Sequence, residues 1–437
     1  MKLSVIGTGY LGAVHAACMA QLGFDVVGID VDEHRITSLA AGVPPFYEPG
    51  FDQVLSNALA SGRLSFTTDM SAAADCDVHF ICVGTPQREG ELAADLTYVY
   101  AAARSLAKHL NRPTLVVGKS TVPVGTAAAL TDLLHAEAPA GAAVELAWNP
   151  EFLREGFAVQ DTLHPDRLVI GVQGPTAEPL LRTVYASMIE ADTPFLVMDL
   201  PTAELVKVAA NSFLATKISF INAMGEICEA TGADVTKLAD AIGYDTRIGR
   251  RFLNAGIGFG GGCLPKDIRA FTARAAELGM GDAVGFLHEV DAINNRRRIR
   301  AVEITREFTG GDLRGKNVCV LGAAFKPDSD DVRDSPALDI AQAIQAAGAN
   351  VRVHDPKALE NAAKRFPSLM MCENVEDALR DADVVLHLTE WKFYRELDPA
   401  KIGSLVRNKQ LVEGRNALDV DAWRSAGWRV RSVGRAH

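Results

Sequence analysis

The sequence predicts an α/β protein with two doubly wound, parallel-sheet domains joined by a central helical segment that contains one long helix. Two observations support this fold class. A strand, a glycine-rich turn, a helix and a second strand open the chain, and an inexact echo of the same pattern begins near residue 315. Between them lies an apolar stretch with helical periodicity. The predicted domains cover residues 1–199, 200–311 and 312–437.

Composition and charge limit the kinds of ligand that the chain can bind. Its 437 residues, 48% of them hydrophobic, are enough for two or three domains with sizeable cores. The 44 basic and 55 acidic side chains leave a net charge of -11, which argues against a general binder of nucleic acids or anionic membranes. The sequence has no apolar run of membrane-spanning length and no signal-peptide pattern at its start. We therefore expect a cytoplasmic protein without a nucleic-acid or membrane partner.

Seven cysteines are scattered along the chain and form no CxxC pair. This pattern indicates reduced thiols rather than disulfides or a zinc site, so we expect no bound metal. Cys263 differs from the other six cysteines because it lies in a glycine-rich loop that also contains charged residues. Core positions are predicted for the other six, which stand among apolar or small residues: Cys18, Cys76, Cys82, Cys228, Cys319 and Cys372.

The N-terminal strand leads into the turn GTGYLG at residues 7–12. Followed by a helix, a second strand and an acid, this pattern is typical of a Rossmann-type dinucleotide site. Gly7 permits the tight turn, Gly9 lets the backbone approach a pyrophosphate, and Gly12 lets the helix pack closely on the strand. Asp30 ends the second strand, where it would accept from a ribose 2′-hydroxyl and repel a 2′-phosphate. The sequence therefore predicts NAD rather than NADP.

Strand and helix continue to alternate through the rest of the first domain. Strands are predicted within residues 77–86, 114–123, 144–152 and 167–172, with a helix at about 96–110. Ligands of open parallel sheets collect at the carboxyl ends of the strands. Three residues at such ends are therefore candidates for a site: Thr85, Thr121 and Glu151.

Residues 202–231 predict one long helix that is apolar on most sides. At 100° per residue, Glu204, Lys207 and Asn211 lie within about 60° of one another and form one polar stripe. A polar stripe ordinarily faces solvent. Because the rest of this helix is so apolar, a lined cavity or a subunit contact is the favoured interpretation.

A second helical stretch, at about 265–307, precedes the echo of the N-terminal pattern. The echoing turn begins at Gly322 but lacks the second and third glycines and carries Lys326 instead. We interpret residues 312–437 as a Rossmann-like domain that binds a different nucleotide, with Lys326 as a phosphate partner. A degenerate structural domain with Lys326 on its surface is the alternative.

The stretch GIGFGGGCLPKD, residues 256–267, is rich in glycine and also contains a cysteine, a lysine and an aspartate. It is either a phosphate cradle or a loop that exposes the thiol of Cys263. It does not follow a predicted strand, and a better dinucleotide turn exists at residues 7–12. We therefore expect the glycines to let sugar and nicotinamide approach Cys263. If Pro265 opens a helix, its dipole and Lys266 would favour the thiolate.

Taken together, the motifs resemble those of the UDP-glucose/GDP-mannose dehydrogenase family. The matching stretches span essentially the whole chain: GTGYLG, GTP (84–86), KSTVPVGT (119–126), NPEFLREG (149–156), PDRLVIG (165–171), AELVKVAANSFLATKISFINA (203–223), RIGRRFLNAGIGFGGGCLPKD (247–267), AFKPDSDDVRDSP (324–336), TEW (389–391) and EGRN (413–416). The cysteine loop is the most specific of them. Departures are small: Gly262 replaces a common serine, and Glu413 replaces the more common aspartate.

The resemblance implies oxidation of the C6 primary alcohol of a nucleotide sugar to a carboxylate, with two NAD used in succession. The second oxidation needs a covalent intermediate, and a cysteine can form a thiohemiacetal and then a thioester. Cys263 is the cysteine suited to this role. UDP-glucose is the expected substrate, giving UDP-glucuronate for polysaccharide biosynthesis. GDP-mannose and a UDP-N-acetylhexosamine are the alternatives.

The resemblance also assigns roles to five further residues. Lys207 resembles the lysine that stabilises the oxyanion, and Asn211, one turn later, its hydrogen-bonding companion. Asp267 resembles the acid that orients the lysine or the catalytic water. Glu151 resembles the general base of thioester hydrolysis, and Thr121 the hydroxyl that holds a water. Which of the two acids moves which proton stays open.

Binding residues are implied in the same way. For the UDP-sugar they are Glu151, Phe152, Leu153, Lys207, Asn211, Arg247, Phe252, Leu253, Asn254, Gly256, Gly260, Phe325, Lys326 and Arg415. For NAD they are Gly7, Gly9, Tyr10, Leu11, Gly12, Asp30, Arg35, Thr85, Thr121, Glu155, Lys266 and Arg333. Arg247 resembles an arginine that reaches the substrate of the neighbouring subunit, which implies a homodimer.

Two other classes of protein share part of this pattern. A one-step dehydrogenase of the 3-hydroxyacid or 6-phosphogluconate type has an N-terminal dinucleotide fold and a lysine on a central helix. It would need neither Cys263 nor a second nucleotide domain. An NAD-binding sensor would not need the set of Lys207, Asn211, Cys263 and Asp267.

Overall fold

The computed structural model describes residues 1–435. The chain divides into two compact units. The first contains Met1–Ala210 and Arg269–Met280, and the second contains Asn211–Ile268 and the chain from Gly281 onward. Within residues 1–435, no helix combines the length and the hydropathy needed to cross a membrane.

The first unit is built on an eight-stranded sheet. Its strands are β1 (Lys2–Ile6), β2 (Asp25–Ile29), β3 (Leu64–Thr67), β4 (Val78–Ile81), β5 (Thr114–Gly118), β6 (Val144–Trp148), β7 (Leu168–Gly171) and β8 (Phe195–Met198). Their order is β3-β2-β1-β4-β5-β6-β7-β8. The first six follow the Rossmann order, and β4, β5 and β6 lie side by side with their carboxyl ends at one edge.

The end of this sheet differs from the parallel arrangement that the sequence predicts. Strand β7 pairs antiparallel with β6 at Trp148 and Gly171, whereas β7 and β8 are parallel to each other. The connection from β6 to β7 contains one helix of six residues, Ala158–Leu163. Strands β7 and β8 therefore run opposite to the first six strands.

Helices cover both faces of the sheet. They are α1 (Tyr10–Gln21), α2 (Glu33–Ala40), α3 (Phe51–Ala60), α4 (Thr97–Ala107), α5 (Thr126–Glu137), α6 (Ala158–Leu163), α7 (Ala177–Val184) and α8 (Ala186–Glu190). One hydrophobic cluster contains buried residues of α1, α3 and α6, and a second contains those of α4 and α5. This two-sided packing confirms the doubly wound prediction.

Four helices follow: α9 (Leu200–Thr231), α10 (Val235–Gly243), α11 (Leu264–Glu277) and α12 (Phe286–Phe308). Helix α9 is 32 residues long, as the sequence predicts. The predicted helical stretch at 265–307 is instead two helices, α11 and α12. Gly279, with φ of 73°, follows the end of α11 in the left-handed conformation that terminates many helices.

The last part of the chain forms a six-stranded sheet. Its strands are β9 (Asn317–Leu321), β10 (Asn350–His354), β11 (Met370–Met371), β12 (Val384–His387), β13 (Gln410–Glu413) and β14 (Arg429–Ser432). Six helices accompany them: α13 (Pro336–Ala346), α14 (Leu359–Arg365), α15 (Val375–Leu379), α16 (Lys392–Arg395), α17 (Pro399–Ile402) and α18 (Val420–Ser425). The order β11-β10-β9-β12-β13-β14, with every pairing parallel, repeats that of the first six strands of the N-terminal sheet. The predicted second Rossmann-like sheet is thus confirmed.

Candidate active site

The three glycines of the first turn occupy three different environments. Gly7 has φ of 88°, and a Cβ there would lie 2.9 Å from the backbone of Val83. A Cβ on Gly12 would lie 1.8 Å from the carbonyl oxygen of Gly7, so helix α1 packs directly on the turn. A Cβ on Gly9 would meet no atom within 4 Å. The turn therefore leaves room at the position where a pyrophosphate approaches in Rossmann sites, which fits a dinucleotide.

Asp30 lies buried at the end of β2. Its Oδ2 accepts from the backbone N–H of Thr8 at 2.7 Å and from Nη1 of Arg35 at 3.0 Å. Its Oδ1 accepts from the N–H of Asp32 at 3.1 Å. Arg35, which the sequence places near the cofactor, thus helps to fix the acid in position.

The second turn handles the equivalent acid differently. Asp355 ends β10 as Asp30 ends β2, and its Oδ2 accepts from the N–H groups of Ala323 (2.7 Å) and Ala324 (3.0 Å). Gly322, with φ of 117°, occupies the place of Gly7. Because both amides after this glycine already have an acceptor, the second turn does not reproduce the first as a phosphate site.

The carboxyl ends of β4, β5 and β6 bring together the three residues that the sequence selected there. The hydroxyl of Thr85 donates to the carbonyl oxygen of Thr121 at 2.8 Å. Glu151 follows β6, and its Oε1 accepts from the N–H groups of Phe152 (2.6 Å) and Leu153 (2.7 Å). This edge of the first sheet therefore carries the Glu151 carboxylate, and Thr85 is bound there to the backbone of Thr121.

Lys119 was not selected from the sequence, although it lies in the quoted KSTVPVGT stretch. It is buried, and its Nζ lies 2.9 Å from Oδ1 of Asn149 and 3.2 Å from Oε2 of Glu151. Burial alone would lower the pKa of Lys119, but the neighbouring Tyr185 and the Glu151 carboxylate favour the ammonium and the pKa is raised. Both carboxylate oxygens of Glu151 thus have hydrogen-bond donors.

Phe152 connects this loop to Lys207. The guanidinium of Arg167 lies 4.0 Å from the centroid of the Phe152 ring, and Nζ of Lys207 lies 5.4 Å from it. Lys207 is a buried residue of α9. An ammonium near an aromatic face is stabilised by the ring quadrupole. Phe152 therefore helps to hold Lys207 in place.

Glu204, the third residue of the predicted polar stripe, caps a helix. Its carboxylate accepts from the N–H groups of Gly125 (2.8 Å) and Ala127 (2.7 Å) at the start of α5. Burial raises the pKa of Glu204, and these hydrogen bonds oppose the rise. The stripe on α9 is therefore one structural cap followed by Lys207 and Asn211, one turn apart.

In the second unit, Cys263 is exposed and immediately precedes helix α11, in which Pro265 is the second residue. The N–H of Asp267 donates to the carbonyl oxygen of Cys263 at 2.8 Å. The buried carboxylate of Asp267 accepts from Nδ2 of Asn211 at 2.6 Å and from Nζ of Lys266 at 2.5 Å. The fold thus joins Asn211 and Asp267, and it places Lys266, expected near NAD, on the same carboxylate.

The glycine-rich loop before Cys263 donates its amides to protein acceptors. Four N–H groups are engaged: Gly256 with Oδ1 of Asn222 (2.8 Å), Ile257 with the carbonyl of Gly414 (2.9 Å), Phe259 with Oδ1 of Asn294 (2.7 Å) and Gly261 with the carbonyl of Arg333 (2.9 Å). These amides are not available to a phosphate. The geometry therefore favours the loop that exposes a thiol over the phosphate cradle.

The glycines themselves are crowded by the protein. A Cβ would lie 2.4 Å from Oδ1 of Asn294 at Gly258, 2.2 Å from the carbonyl of Asp334 at Gly260, and 2.7 Å from the Phe325 ring at Gly261. From the sequence, these glycines are expected to let sugar and nicotinamide approach Cys263. Close packing against the same unit already requires them.

The guanidinium of Arg415 donates hydrogen bonds to the backbone around this loop. It donates to the carbonyl oxygens of Leu388 (2.7 Å), Gly258 (2.9 Å) and Phe325 (3.2 Å). Burial lowers the pKa of Arg415, and nearby carboxylates oppose this. Lys326 lies with its Nζ 5.5 Å from the Phe325 ring centroid. Arg415 thus ties the cysteine loop to the segment that carries both Phe325 and Lys326.

Comparison with known proteins identifies the family. The NAD binding domain of the UDP-glucose/GDP-mannose dehydrogenase family matches residues 1–189, the central domain residues 201–296 and the UDP binding domain residues 319–420. A UDP-glucose 6-dehydrogenase of Rhizobium meliloti (strain 1021) is 43% identical over 438 residues, with 100% of each chain covered. The chain belongs to the UDP-glucose/GDP-mannose dehydrogenase family. The resemblance seen in the sequence is confirmed, and so is the prediction of NAD as cofactor.

Solved structures of other family members agree with this assignment. A UDP-glucose dehydrogenase of Pyrobaculum islandicum is 42% identical, with a TM-score of 0.89 and 98% of each chain covered. A UDP-D-ManNAc dehydrogenase of Pyrococcus horikoshii is 27% identical, with a TM-score of 0.87 over 100% of this chain and 99% of that one. The two-sheet architecture with a long central helix is therefore that of the family.

Several residues that the family resemblance selected are not drawn into these clusters. Arg247 has 87% of its side chain exposed and pairs with Asp245 at 2.6 Å. Arg333, by contrast, is exposed and pairs with Asp331 at 2.8 Å but lies at the cysteine loop, because a Cβ on Gly262 would lie 2.3 Å from its Cζ. Phe252 has φ of 67° and is partly exposed, whereas Leu253 is buried.

Tyr10 and Asn254 make hydrogen bonds that the sequence did not predict. Glu155 is half-buried and also interacts with other residues. Asn254 accepts from Nη1 of Arg250 at 2.7 Å. The hydroxyl of Tyr10 donates to the buried Glu48, which also accepts from the N–H groups of Gly156 (2.7 Å) and Ala158 (2.7 Å). Burial raises the pKa values of Tyr10 and Glu48. Glu48 therefore joins the start of α1 to the end of the NPEFLREG segment.

The cysteines divide as the sequence predicts. Cys263 is exposed, and the other six are buried. Burial raises the pKa of each buried thiol, for example that of Cys18 and of Cys82 to about 12. Among residues 1–435, no three His, Cys, Asp or Glu side chains form a cluster that could hold a metal ion.

Proposed function

We propose that this chain oxidises the C6 alcohol of UDP-glucose to the carboxylate of UDP-glucuronate in two NAD-dependent steps. The observation that carries the proposal is an exposed thiol, Cys263, at the start of a helix whose first-turn acid, Asp267, binds Asn211. A one-step dehydrogenase has no use for this thiol. Relatives over the full chain with the name UDP-glucose 6-dehydrogenase support the choice of substrate.

The chemistry assigns a task to each residue. NAD, held by the residues of the first turn, would supply the acceptor for the hydride that leaves C6 in each of two rounds. After the first round, Cys263 adds its thiolate to the aldehyde carbon, and the resulting thiohemiacetal loses the second hydride to become a thioester. Water then releases the acid and returns the thiol. Lys207 and Asn211 stabilise the oxyanion, while Glu151 and Asp267 handle the protons, with Thr121 holding the water.

The binding sets are proposed with the same division. NAD is held by the first turn and its neighbours: Gly7, Gly9, Tyr10, Leu11, Gly12, Asp30, Arg35, Thr85, Thr121, Glu155, Lys266 and Arg333. The open space beside Gly9 supports this set most directly. UDP-glucose is held by Glu151, Phe152, Leu153, Lys207, Asn211, Arg247, Phe252, Leu253, Asn254, Gly256, Gly260, Phe325, Lys326 and Arg415. The match of residues 319–420 to the UDP binding domain supports the last three.

The stoichiometry of NADH tests the function. Purified protein given UDP-glucose and NAD is expected to form two NADH per sugar, with UDP-glucuronate as product. A ratio of one contradicts the two-step chemistry. GDP-mannose and UDP-N-acetylhexosamines serve as the substrate panel, since a solved relative is a UDP-D-ManNAc dehydrogenase. Turnover of one of these without turnover of UDP-glucose contradicts the substrate assignment and retains the chemistry.

We also propose a homodimer that contacts through helix α9. Phe213, Phe220 and Ile227 stand seven residues apart on this helix and are 66%, 49% and 54% exposed. An apolar stripe at heptad spacing is typical of a helix that packs on another helix. Light scattering is expected to give the dimer mass for the native chain and a smaller mass for Phe220→Asp. A native chain of monomer mass contradicts the proposal.

The division of labour along the chain and its location are proposals as well. Residues 1–199 would bind NAD, 200–311 supply catalysis and dimerisation, and 312–437 bind UDP-sugar. The ranges matched by the three family domains support this division. We propose a cytoplasmic location because buried thiols such as Cys82 and Cys319 are typical of proteins kept in a reducing compartment.

A further inference from the structure

Lys119 is a charged residue in a buried place. It follows strand β5, and its side chain is only 5% exposed. Lysines are almost never fully buried unless they are paired, because removing an ammonium from water is costly. Its Nζ meets Asn149 Oδ1 at 2.9 Å and Glu151 Oε2 at 3.2 Å. The pairing partner is thus the carboxylate to which the proposed function gives the hydrolytic proton transfer.

Both partners of Lys119 are themselves fixed by other groups. Asn149 accepts from the hydroxyl of Tyr185 at 2.5 Å and donates its Nδ2 to the carbonyl oxygen of Val169 on β7 at 3.0 Å. Glu151 has its other oxygen on two amides of its own loop. The ammonium therefore connects a rigid part of the sheet to a carboxylate at the end of the neighbouring strand.

The ionisable groups around this pair are neutral near pH 7. Burial raises the pKa of Tyr185, and it raises the pKa of the Cys82 thiol to about 12. Burial also lowers the pKa of His15 well below its usual range. Lys119 and Glu151 thus face each other as a charged pair in poorly solvated surroundings, where a charge-assisted hydrogen bond is strong.

From this geometry we propose that Lys119 is a positioning residue for Glu151, holding its carboxylate in one orientation for thioester hydrolysis. The inference rests on the proposed function. Replacing a buried ion pair by apolar residues is often neutral or stabilising, so stability alone does not account for a buried ammonium here. Without it, Oε2 of Glu151 loses its charged donor, and the carboxylate is free to rotate away before water attacks.

The hydrolysis step separates this role from a structural one. In Lys119→Met, with the nucleotide sugar that the native enzyme oxidises, we expect a rapid burst of about two NADH per site. Formation of the acid should then be slowed by roughly 10- to 100-fold, the lower part of the range for general acid–base catalysis. Lys119→Arg, which keeps the cation, should restore the native rate of hydrolysis.

Ser4→Ala is the matched control, because it removes a buried side-chain hydrogen bond of the same sheet, from Ser4 Oγ to His79 Nδ1 at 2.8 Å, and touches neither Lys119 nor Glu151. It is expected to lower the melting temperature and to leave the rate of hydrolysis unchanged. If Lys119→Met does not fold, Lys119→Gln replaces it, since glutamine keeps a donor and lacks the charge.

A double-mutant cycle completes the test. If Lys119 acts through Glu151, the double variant Lys119→Met/Glu151→Gln should hydrolyse the thioester no more slowly than Glu151→Gln alone. The proposal would be overturned if the rate losses of the two single variants multiplied in the double variant. A native hydrolysis rate in folded Lys119→Met or Lys119→Gln would overturn it as well. A wrong substrate assignment shows itself separately, as a native enzyme that oxidises another nucleotide sugar.

Discussion

At the scale of single residues, three glycines of one turn are required for three different reasons. Gly7 needs its positive φ, Gly12 has no room for a side chain, and Gly9 leaves open space. The cysteine loop uses glycine for the second reason, at Gly258 and Gly260. Glycine content therefore does not identify a phosphate site, whereas the partners of the amides do.

The thiol of Cys263 supplies the first test at this scale. In Cys263→Ser, formation of UDP-glucuronate should fall by roughly 10³-fold or more, because a hydroxyl is a poor substitute for a thiolate nucleophile. The measurement is chromatographic quantification of the acid. Cys228→Ala, which removes a buried thiol of α9, is the control and should keep two NADH per sugar. Acid formation at the native rate in Cys263→Ser would refute the nucleophile.

The sequence predicted some site residues better than others. The turn at residues 7–12 and Asp30 were predictable because their pattern is local. Lys119 and Glu48 were missed because their partners lie 32 and 108 positions away, and both residue types are ordinary on surfaces. Only the fold shows that these two charges are buried and which groups they serve.

At the scale of elements, buried asparagines hold the cysteine loop. Asn294 of α12 accepts from the N–H of Phe259 at 2.7 Å and donates to its carbonyl oxygen at 3.0 Å. Asn222 of α9 accepts from the N–H of Gly256. The helices therefore hold the backbone of the loop that carries Cys263.

Asn294→Ala tests this arrangement. It leaves the Phe259 N–H without its acceptor, which should lower the free energy of unfolding by about 1–3 kcal/mol. Loosening the loop should also lower kcat by about tenfold and leave the affinity for NAD unchanged. Stability is read by denaturant titration and kcat by NADH formation. Asn361→Ala, which loses a bond to the carbonyl of Asp330, is the control and should keep the native kcat. A native kcat in Asn294→Ala would contradict the role.

Helices α9 and α12 are joined by a second, charged connection. Glu229 accepts from Arg297 (3.0 Å), Arg300 (2.8 Å) and the N–H of Gly434 (2.7 Å). Burial alone would raise the pKa of Glu229, but these donors lower it below its ordinary 4.5. A lowered pKa in the folded state means that the ionised carboxylate favours folding.

Glu229→Gln should therefore destabilise the protein in a pH-dependent way. The loss should be about 3 kcal/mol at pH 7.5, because the buried Arg297 loses its hydrogen-bonded carboxylate and keeps only the more distant Glu226, at 3.8 Å. Above the pKa that Glu229 has in the unfolded chain, its contribution to the free energy of unfolding is complete. The contribution disappears as the pH falls through the lower pKa of the folded state. The urea midpoints of native protein and variant should therefore converge in acid. Urea unfolding at pH 7.5 and at an acid pH measures the two losses. Glu303→Gln, at an exposed pair, is the control. An equal loss at both pH values would contradict the ionic role.

Element directions were less predictable than element positions. The reversal of β7 and β8 was missed because an apolar run such as RLVIGV reads the same in either direction. The break between α11 and α12 was missed although Gly279 marks it. Pattern gives the length and burial of an element, whereas the direction of a strand is set by its pairing in the folded sheet.

At the scale of the whole molecule, one strand order is used twice with different results. The second sheet repeats β3-β2-β1-β4-β5-β6 of the first, yet its turn gives both amides to Asp355. The sequence predicted both sheets and the altered second turn. It could not predict that the acid itself occupies the amides, because Asp355 lies more than 30 positions away.

Arg247 tests whether the proposed dimer completes the site. Its exposed guanidinium pairs with Asp245 within its own chain. Arg247→Ala should raise KM for UDP-glucose by roughly 10- to 100-fold, the value of hydrogen bonds to a charged ligand, and leave the Kd of NAD unchanged. Steady-state kinetics and NAD titration measure the two constants. Arg314→Ala, an exposed arginine in a similar pair with Asp312, is the control. An unchanged KM would count against a shared site.

The seven thiols differ in solvent exposure, which allows one of them to be labelled covalently in the native chain. Six thiols are buried with raised pKa values, and the seventh, on Cys263, is exposed at the start of α11. A haloacetamide at neutral pH should alkylate Cys263 first, without removal of any other cysteine. The moles of reagent incorporated when activity reaches zero would then count the working sites in a preparation.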